Sequence, residues 1–316
     1  MRDIIKFTVI IPFFNSSKYS DDLLNSIPAL PEFEIIFVDD KSSKNEADEL
    51  KRIIANHPNH SVKYYLNDRK KSAGTCRNIG LEHANGKWVI FADSDDYFTS
   101  DFHEIVNQHY AEEADLIYFT PTSYVRIENT IGTRHIQYCN WVKEYIRNPI
   151  SERELALKTG FVVPWSKMIK LELIKENNIV FDEVRASNDV MFSLKVAFAA
   201  RKFTCSDECL YCVTKNPGSL MYKVDKEVLD ARLEVYVRQY NFLKHELSAQ
   251  EFSSLNMYGT SMLKRYIFAK QSPIRIVGVF IKLKKNGIKL FNLNKLRIRS
   301  LKKTIHNIKK NEFYNQ

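Results

Sequence analysis

No aspartate or glutamate occurs between Glu251 and Glu312, an interval that holds 15 lysines and arginines. Without those cations the chain carries 32 basic and 38 acidic side chains, a balance of −6 against +9 for the whole. A mildly acidic body and a strongly basic tail meet different partners. Cysteine is also scarce. Five among 316 residues, an odd number without framework spacing, argue against a disulfide-built domain and for a reducing cytosol. Cys205, Cys209 and Cys212 flank an apolar "LY" in strand-like sequence with no fourth ligand near, so they read as strand residues rather than a zinc site.

Other absences narrow the chemistry. The eight histidines have no metal-ligand spacing, and neither a G-x-S-x-G nor a P-loop string is present. No apolar run reaches the ~18 residues of a membrane span. The opening "MRDIIKFTVIIPFFN" has a short apolar run ending at Pro12 and no small-residue cleavage site, so it does not read as a signal peptide. The chain is expected to stay on the cytoplasmic side.

What is present is an α/β pattern. With 44% hydrophobic and 12% aromatic residues, the chain can bury a real core. "FTVIIPFF", "FEIIFVDD", "VKYYL" and "KWVIFADSDD" read as strands, separated by the helical patterns "SDDLLNSIPAL", "KNEADELKRIIANH" and "SAGTCRNIGLEHA". That alternation predicts a mostly parallel sheet with right-handed crossovers. A helix over about 102–112 and the strand "ADLIYFTPTSYV" follow. Residues 126–150 are mixed and read as a loop or hairpin. Helices are expected at "SERELALKTG", "KMIKLELIKENN" and "NDVMFSLKVAFAA", one or two short strands at "FTCSDECLYCV", and two helices over 225–270. The expected division is a core domain at 1–215, with halves at about 1–120 and 121–215, and a helical, basic extension at 216–316.

Ligands of parallel sheets gather beyond the carboxyl ends of the strands, where this sequence puts its polar groups. Asn15 follows the first strand, Asp39 and Asp40 the second, and Asp93, Ser94, Asp95 and Asp96 the fourth. Such carboxylates suit Mg²⁺ or Mn²⁺ shared with substrate phosphates. An acid-rich turn capping the next helix is the simpler reading of "DSDD" alone. Two acid clusters at equivalent strand ends favour the ligand site. Arg77 and Asn78 open a helix whose N–H groups suit anions, and Arg77 is expected to pair with Asp40 or with a nucleotide.

"VIIPFFN", "FEIIFVDDKS", "AGTCRNIGLEHANGKWVIFADSDDYF" and "VPWSKMIKLELIKENNIVFDEVRASNDVMF" together resemble the family 2, GT-A-fold inverting glycosyltransferases of bacterial polysaccharide assembly, over about residues 6–220. The resemblance implies a Rossmann-like GT-A domain using a UDP-sugar, Mn²⁺ or Mg²⁺, and a saccharide acceptor that is often lipid-linked. Pro12, Phe13 and Asn15 match the base-pocket strand, and Asp40, supported by Arg77, the acid that reads uracil. Asp93 and Asp95 match the D-x-D pair. Asp95 is the expected metal ligand, with Asp96 as the alternative register. Asp189 matches the general base. The family has Glu-Asp where this chain has Asn188-Asp189, which puts that residue's acceptor contact in doubt. Trp165 and Lys167 resemble the acceptor side, and Lys215 or Ser219 is placed to reach the diphosphate.

A base is what an inverting displacement needs, together with cations for the leaving diphosphate. In the tail, Leu293, Leu296, Leu301, Ile305 and Ile308 recur mostly at three- and four-residue steps among lysines and arginines. This pattern predicts an amphipathic surface that holds residues 264–310 on the anionic inner face of the cell membrane. Packing in a homo-oligomer is the other reading of that helix. No nucleic-acid recognition motif accompanies the basic tail. Retention of the fold without catalysis is the alternative function, to which Asn188 lends its weight.

Overall fold

A computed structural model describes residues 5–216 and 225–291. Its compact units divide between Ala231 and Arg232. The first carries one mixed sheet in the order β3-β2-β1-β4-β8-β6-β9-β5, with β7 paired to β6. The strands are β1 (Phe7–Phe13), β2 (Phe33–Asp39), β3 (Val62–Leu66), β4 (Trp88–Phe91), β5 (Tyr97–Phe98), β6 (Leu116–Val125), β7 (Thr130–Ile131), β8 (Lys167–Lys170) and β9 (Phe203–Lys215). The first four are parallel, while β8 runs antiparallel to both β4 and β6. Every residue of β1, β2 and β4 is buried, as befits strands covered on both faces.

Pro12 fits a central strand because of where β4 stops. Ile10 accepts the Ala92 N–H on the β4 side. Pro12, two residues on, faces the same side beyond the last β4 pair, Ile10 with Phe91, where no donor is needed.

Helices α1 (Ser20–Asn25), α2 (Lys44–Ala55), α3 (Ala73–His83), α4 (Phe102–Gln108), α5 (Ile136–Arg147), α6 (Ser151–Gly160), α7 (Leu171–Glu176) and α8 (Val190–Ala199) connect the strands. Several expectations are corrected. "KMIKLELIKENN" is not one helix: Met168 and Ile169 pair with β6 and β4, and the helix starts only at Leu171. Sheet pairing overrides the helical spacing there. Residues 126–150 supply β7, which forms the expected hairpin with β6, but they also carry the 12-residue α5, which was not expected. "FTCSDECLYCV" belongs to one 13-residue strand, β9, whose register with β6 shifts around Thr120.

The second unit is helical. Helix α9 (Lys226–Glu246), which belongs to this unit from Arg232 on, leads into α10 (Ala249–Ser254), α11 (Thr260–Phe268) and α12 (Pro273–Lys285), so 225–270 carries three helices where two were expected. Ser248 and Glu251 form a reciprocal capping box on α10. Met262, Tyr266, Val279 and Leu283 are buried, and Gly287, at φ +68°, takes the left-handed turn after α12. No described helix is long and apolar enough to cross a membrane. The expected tail helix beyond residue 291, and Ser219, lie outside the described residues.

Candidate active site

The carboxyl ends of β1, β2 and β4 bring their polar residues to one edge of the sheet. Phe13, buried, ends β1, and its carbonyl accepts the Asp40 N–H at 2.7 Å. Asn15, at φ 48°, ties the first loop to the second: its Oδ1 accepts from Ser43 N–H at 2.9 Å, and its own N–H donates to Ser42 Oγ at 3.0 Å. Asp39 is spent on structure, accepting from Ser42 N–H at 2.9 Å and Tyr64 OH at 2.7 Å. Asp40 is buried. Its Oδ1 accepts from Asn67 Nδ2 at 2.7 Å and Ser72 N–H at 3.1 Å. Burial holds its carboxyl above the usual range, with the Asn67 hydrogen bond pulling the other way.

The acid cluster after β4 is sorted by β9. Tyr211 OH accepts from the Asp93 N–H at 2.8 Å and donates to Asp96 Oδ2 at 2.9 Å. Thr214 N–H donates to Asp96 Oδ1 at 2.6 Å. Asp96 is therefore enclosed with both oxygens engaged, and burial, then Asp95 and Asp93, push its carboxyl well above the usual range. Asp95 is less enclosed. Its Oδ2 accepts from Asn216 Nδ2 at 3.0 Å, and Thr214 Oγ1 donates to its backbone carbonyl at 2.6 Å. Burial and then the neighbouring Asp93 raise its carboxyl as well. Ser94 shares a 2.7 Å hydroxyl contact with Ser16 on the first loop. Lys215 is exposed at the end of β9.

Among the described residues no three His, Cys, Asp or Glu side chains converge as a metal cage. One or two carboxylates plus substrate phosphates are the usual Mg²⁺ environment. Asp95, crowded by Asp93 and closed on one oxygen only by an amide, has negative charge that a divalent cation would relieve. The donor set fits Mg²⁺ or Mn²⁺ at Asp95 better than at Asp96.

Helix α3 fastens the opposite wall. Ser72 caps it through Thr75 N–H at 3.1 Å. A Cβ on Gly74 would lie 2.2 Å from the Asp182 carbonyl, so only glycine lets this turn meet the 181–189 loop. Asn78 clamps the same loop by donating to Phe181 O at 3.0 Å and accepting its N–H at 2.8 Å. Arg77 is buried and forks: Nη2 donates to Asp93 Oδ1 at 2.6 Å and Nη1 to Asn188 Oδ1 at 2.8 Å. The expected pairing of Arg77 with Asp40 is thus corrected. Asp40 is held by Asn67 and Ser72, and Arg77 serves the end of β4.

Asp189 stands at the N-terminus of α8, and its carboxylate makes no capping bond to that helix. Burial raises its carboxyl above the usual range, opposed chiefly by Arg77, while Asp93 adds to the rise and Lys167 subtracts from it. These influences put Asp189, the Arg77 guanidinium and Asp93 in one electrostatic neighbourhood. Trp165 and Lys167 occupy the core instead of an open acceptor face. Trp165 is 1% exposed, 4.8 Å from the Tyr138 ring centroid and 5.9 Å from that of Tyr211. Lys167 is 2% exposed and donates to Phe161 O at 2.6 Å and Val163 O at 2.9 Å. Burial brings its ammonium down to about 7.

Sequence reasoning missed Tyr211, Thr214 and Asn216, although the polar end of β9 echoes the other strand ends. It also missed Arg134, an exposed cation whose guanidinium lies 5.8 Å from the Trp165 ring centroid and whose charge draws down both Asp95 and Tyr138.

Comparison with known proteins gives a consistent picture. The family model described as "Glycosyl transferase family 2" matches residues 8–177. The chain is 26% identical over 322 residues to a Staphylococcus aureus poly(ribitol-phosphate) beta-N-acetylglucosaminyltransferase, TarS, covering 93% of this chain and 52% of that protein. It is 28% identical over 225 residues to a Bacillus spizizenii poly(ribitol-phosphate) beta-glucosyltransferase, covering 69% of this chain and 33% of that one. The chain spans about half the length, or less, of these curated relatives. Among solved structures, S. aureus TarS 1-349 in complex with UDP-GlcNAc shares the fold at a TM-score of 0.62 and 23% identity, over 83% of this chain and 72% of that one.

Proposed function

The chain belongs to glycosyl transferase family 2, and we propose that it moves a sugar from a UDP-sugar to an acceptor hydroxyl with inversion, in the synthesis of a bacterial surface polymer. The observation that carries this reading is Arg77 joining the D-x-D strand end to the residue before Asp189. Relatives whose printed names specify transfer to poly(ribitol phosphate), and a structural neighbour holding UDP-GlcNAc, support the donor and polymer classes.

The donor half, about residues 1–120, takes the nucleotide. Pro12, Phe13 and Asn15 form the base-side wall, and Asp40 accepts the uracil ring N–H. Asp93 and Ser94 face the ribose and diphosphate. Asp95 would hold a divalent cation, which when bound would supply positive charge to the departing diphosphate. Lys215 supplies a further cation to the diphosphate, and Arg134 supplies one to an anionic acceptor. In the acceptor half, about 121–215, Asp189 takes the proton from the acceptor hydroxyl as that oxygen bonds to the anomeric carbon. The bond from that carbon to the phosphate oxygen breaks, and its electron pair leaves with UDP. The raised carboxyl of Asp189 makes it the stronger base. Trp165 and Lys167 support this wall from behind. Asn188 orients Arg77 and leaves the base without a second negative neighbour.

The enzyme works at the inner face of the cell membrane, on a saccharide or polyol polymer that is lipid-linked, held there by the basic residues 264–310. The reading favoured by Asn188 alone is a non-catalytic nucleotide-sugar binder. Transfer assays with a UDP-sugar panel separate the two: Asp189-dependent product supports the enzyme, and donor binding without turnover of any donor or acceptor supports the binder.

A further inference from the structure

Helix α12 has two apolar faces. Val279 and Leu283 are buried. Ile274, Val277 and Ile281 recur at steps of three and four on a face about 180° away, and they are 84%, 56% and 46% exposed. A Cβ on Gly278, beside that stripe, would meet nothing within 4 Å. Ile267 and Phe268, the latter 65% exposed, close α11 just before the turn into α12. Lys282, Lys284 and Lys285, all exposed, flank that stripe by helical spacing, and Lys264, Lys270 and Lys289 are exposed on α11 and at the ends of the two helices.

We propose that this outward face of the α11–α12 hairpin is a docking surface for an anionic phospholipid bilayer. The idea refines the membrane placement proposed above and rests on it, but not on the transfer chemistry. Apolar side chains ringed by lysines match a membrane interface, where the former enter the acyl boundary and the latter meet phosphate headgroups. A second copy of the chain is a poorer occupant. It would bring the same cations against this face, and residues 252–291 offer no carboxylate to meet them. A nucleic acid would leave the apolar stripe unused.

The test is co-sedimentation of the full chain with phosphatidylglycerol–phosphatidylcholine vesicles and with phosphatidylcholine alone. Three proteins are compared: the wild type, the combined Ile274→Ser, Val277→Ser, Ile281→Ser variant, and Gly278→Leu. Circular dichroism and donor hydrolysis check each fold, and light scattering checks its mass. The wild type is expected to bind the anionic vesicles only. The triple variant loses at least about tenfold in partitioning, and Gly278→Leu gains. If the wild type does not bind anionic vesicles, membrane placement itself fails. Wild-type binding that the folded triple variant fully retains overturns the hairpin while leaving the placement standing. A dimer that the triple variant abolishes, without loss of lipid binding, overturns it in favour of self-association.

Discussion

Arg77 donates to Asp93 Oδ1 at 2.6 Å with one arm of its guanidinium and to Asn188 Oδ1 at 2.8 Å with the other. One rigid plane thus couples the end of β4 to the N-terminus of α8. Lysine, a point charge on a flexible stem, cannot span both acceptors. Arg77→Lys is expected to lower kcat about 10²-fold through misplacement of the acids, with a smaller effect on UDP affinity by calorimetry. Equal losses in both would place Arg77 on the ligand instead.

Asp189 makes no cap on α8, so its removal touches chemistry more than structure. Asp189→Asn is expected to reduce kcat by roughly 10²–10⁴ while UDP binding is unchanged. Its thermal midpoint should rise, because a partly desolvated group whose carboxyl is raised costs stability when ionised. A variant that transfers at the wild-type rate excludes Asp189 as the base.

The pH profile follows from the same burial. As the proposed base Asp189 acts ionised, and its carboxyl is raised above the ordinary 3.8. Transfer should therefore fall as pH drops through that raised value. Asn188→Glu adds a negative neighbour, disfavours ionisation further, and is expected to move the acid limb to higher pH. A limb that stays in place in kcat would assign it to another group.

Tyr211 OH satisfies the Asp93 N–H and one oxygen of Asp96 in a buried setting. Tyr211→Phe leaves both without that partner and is expected to cost about 2–3 kcal/mol in urea unfolding, with the metal response weakened as the acid turn loosens.

Arg134 lies over the Trp165 ring from the loop before α5, and its charge reaches Asp95. Arg134→Ala is expected to raise KM for an anionic polymer acceptor about tenfold and to leave a neutral saccharide acceptor unaffected. An equal rise for both acceptors would move Arg134 to the donor diphosphate.

Much of the fold was legible because its signals are local. The apolar runs of β1, β2 and β4 end in Asn15, Asp40 and Asp93, so strand and site could be read from one window. Partnerships were not local. Arg77 meets Asn188 across 111 positions, and Tyr211 meets Asp96 across 115. Nothing near Arg77 distinguishes Asp93 from Asp40. The segment around β8 was misread because "KMIK" carries helix-compatible residues whose fate is decided by β4 and β6. Trp165 resembles an acceptor-side residue in sequence, and the rings that hold it in the core, Tyr138 and Tyr211, come from distant parts of the chain.

The central claim is a UDP-sugar site built on Asp40 and the D-x-D turn. Calorimetric titration of the full chain with UDP, with and without Mn²⁺, tests it most directly. Saturable binding that Mn²⁺ strengthens in the wild type, and strengthens less in Asp95→Asn, is the predicted result. No UDP binding under either condition would contradict the account.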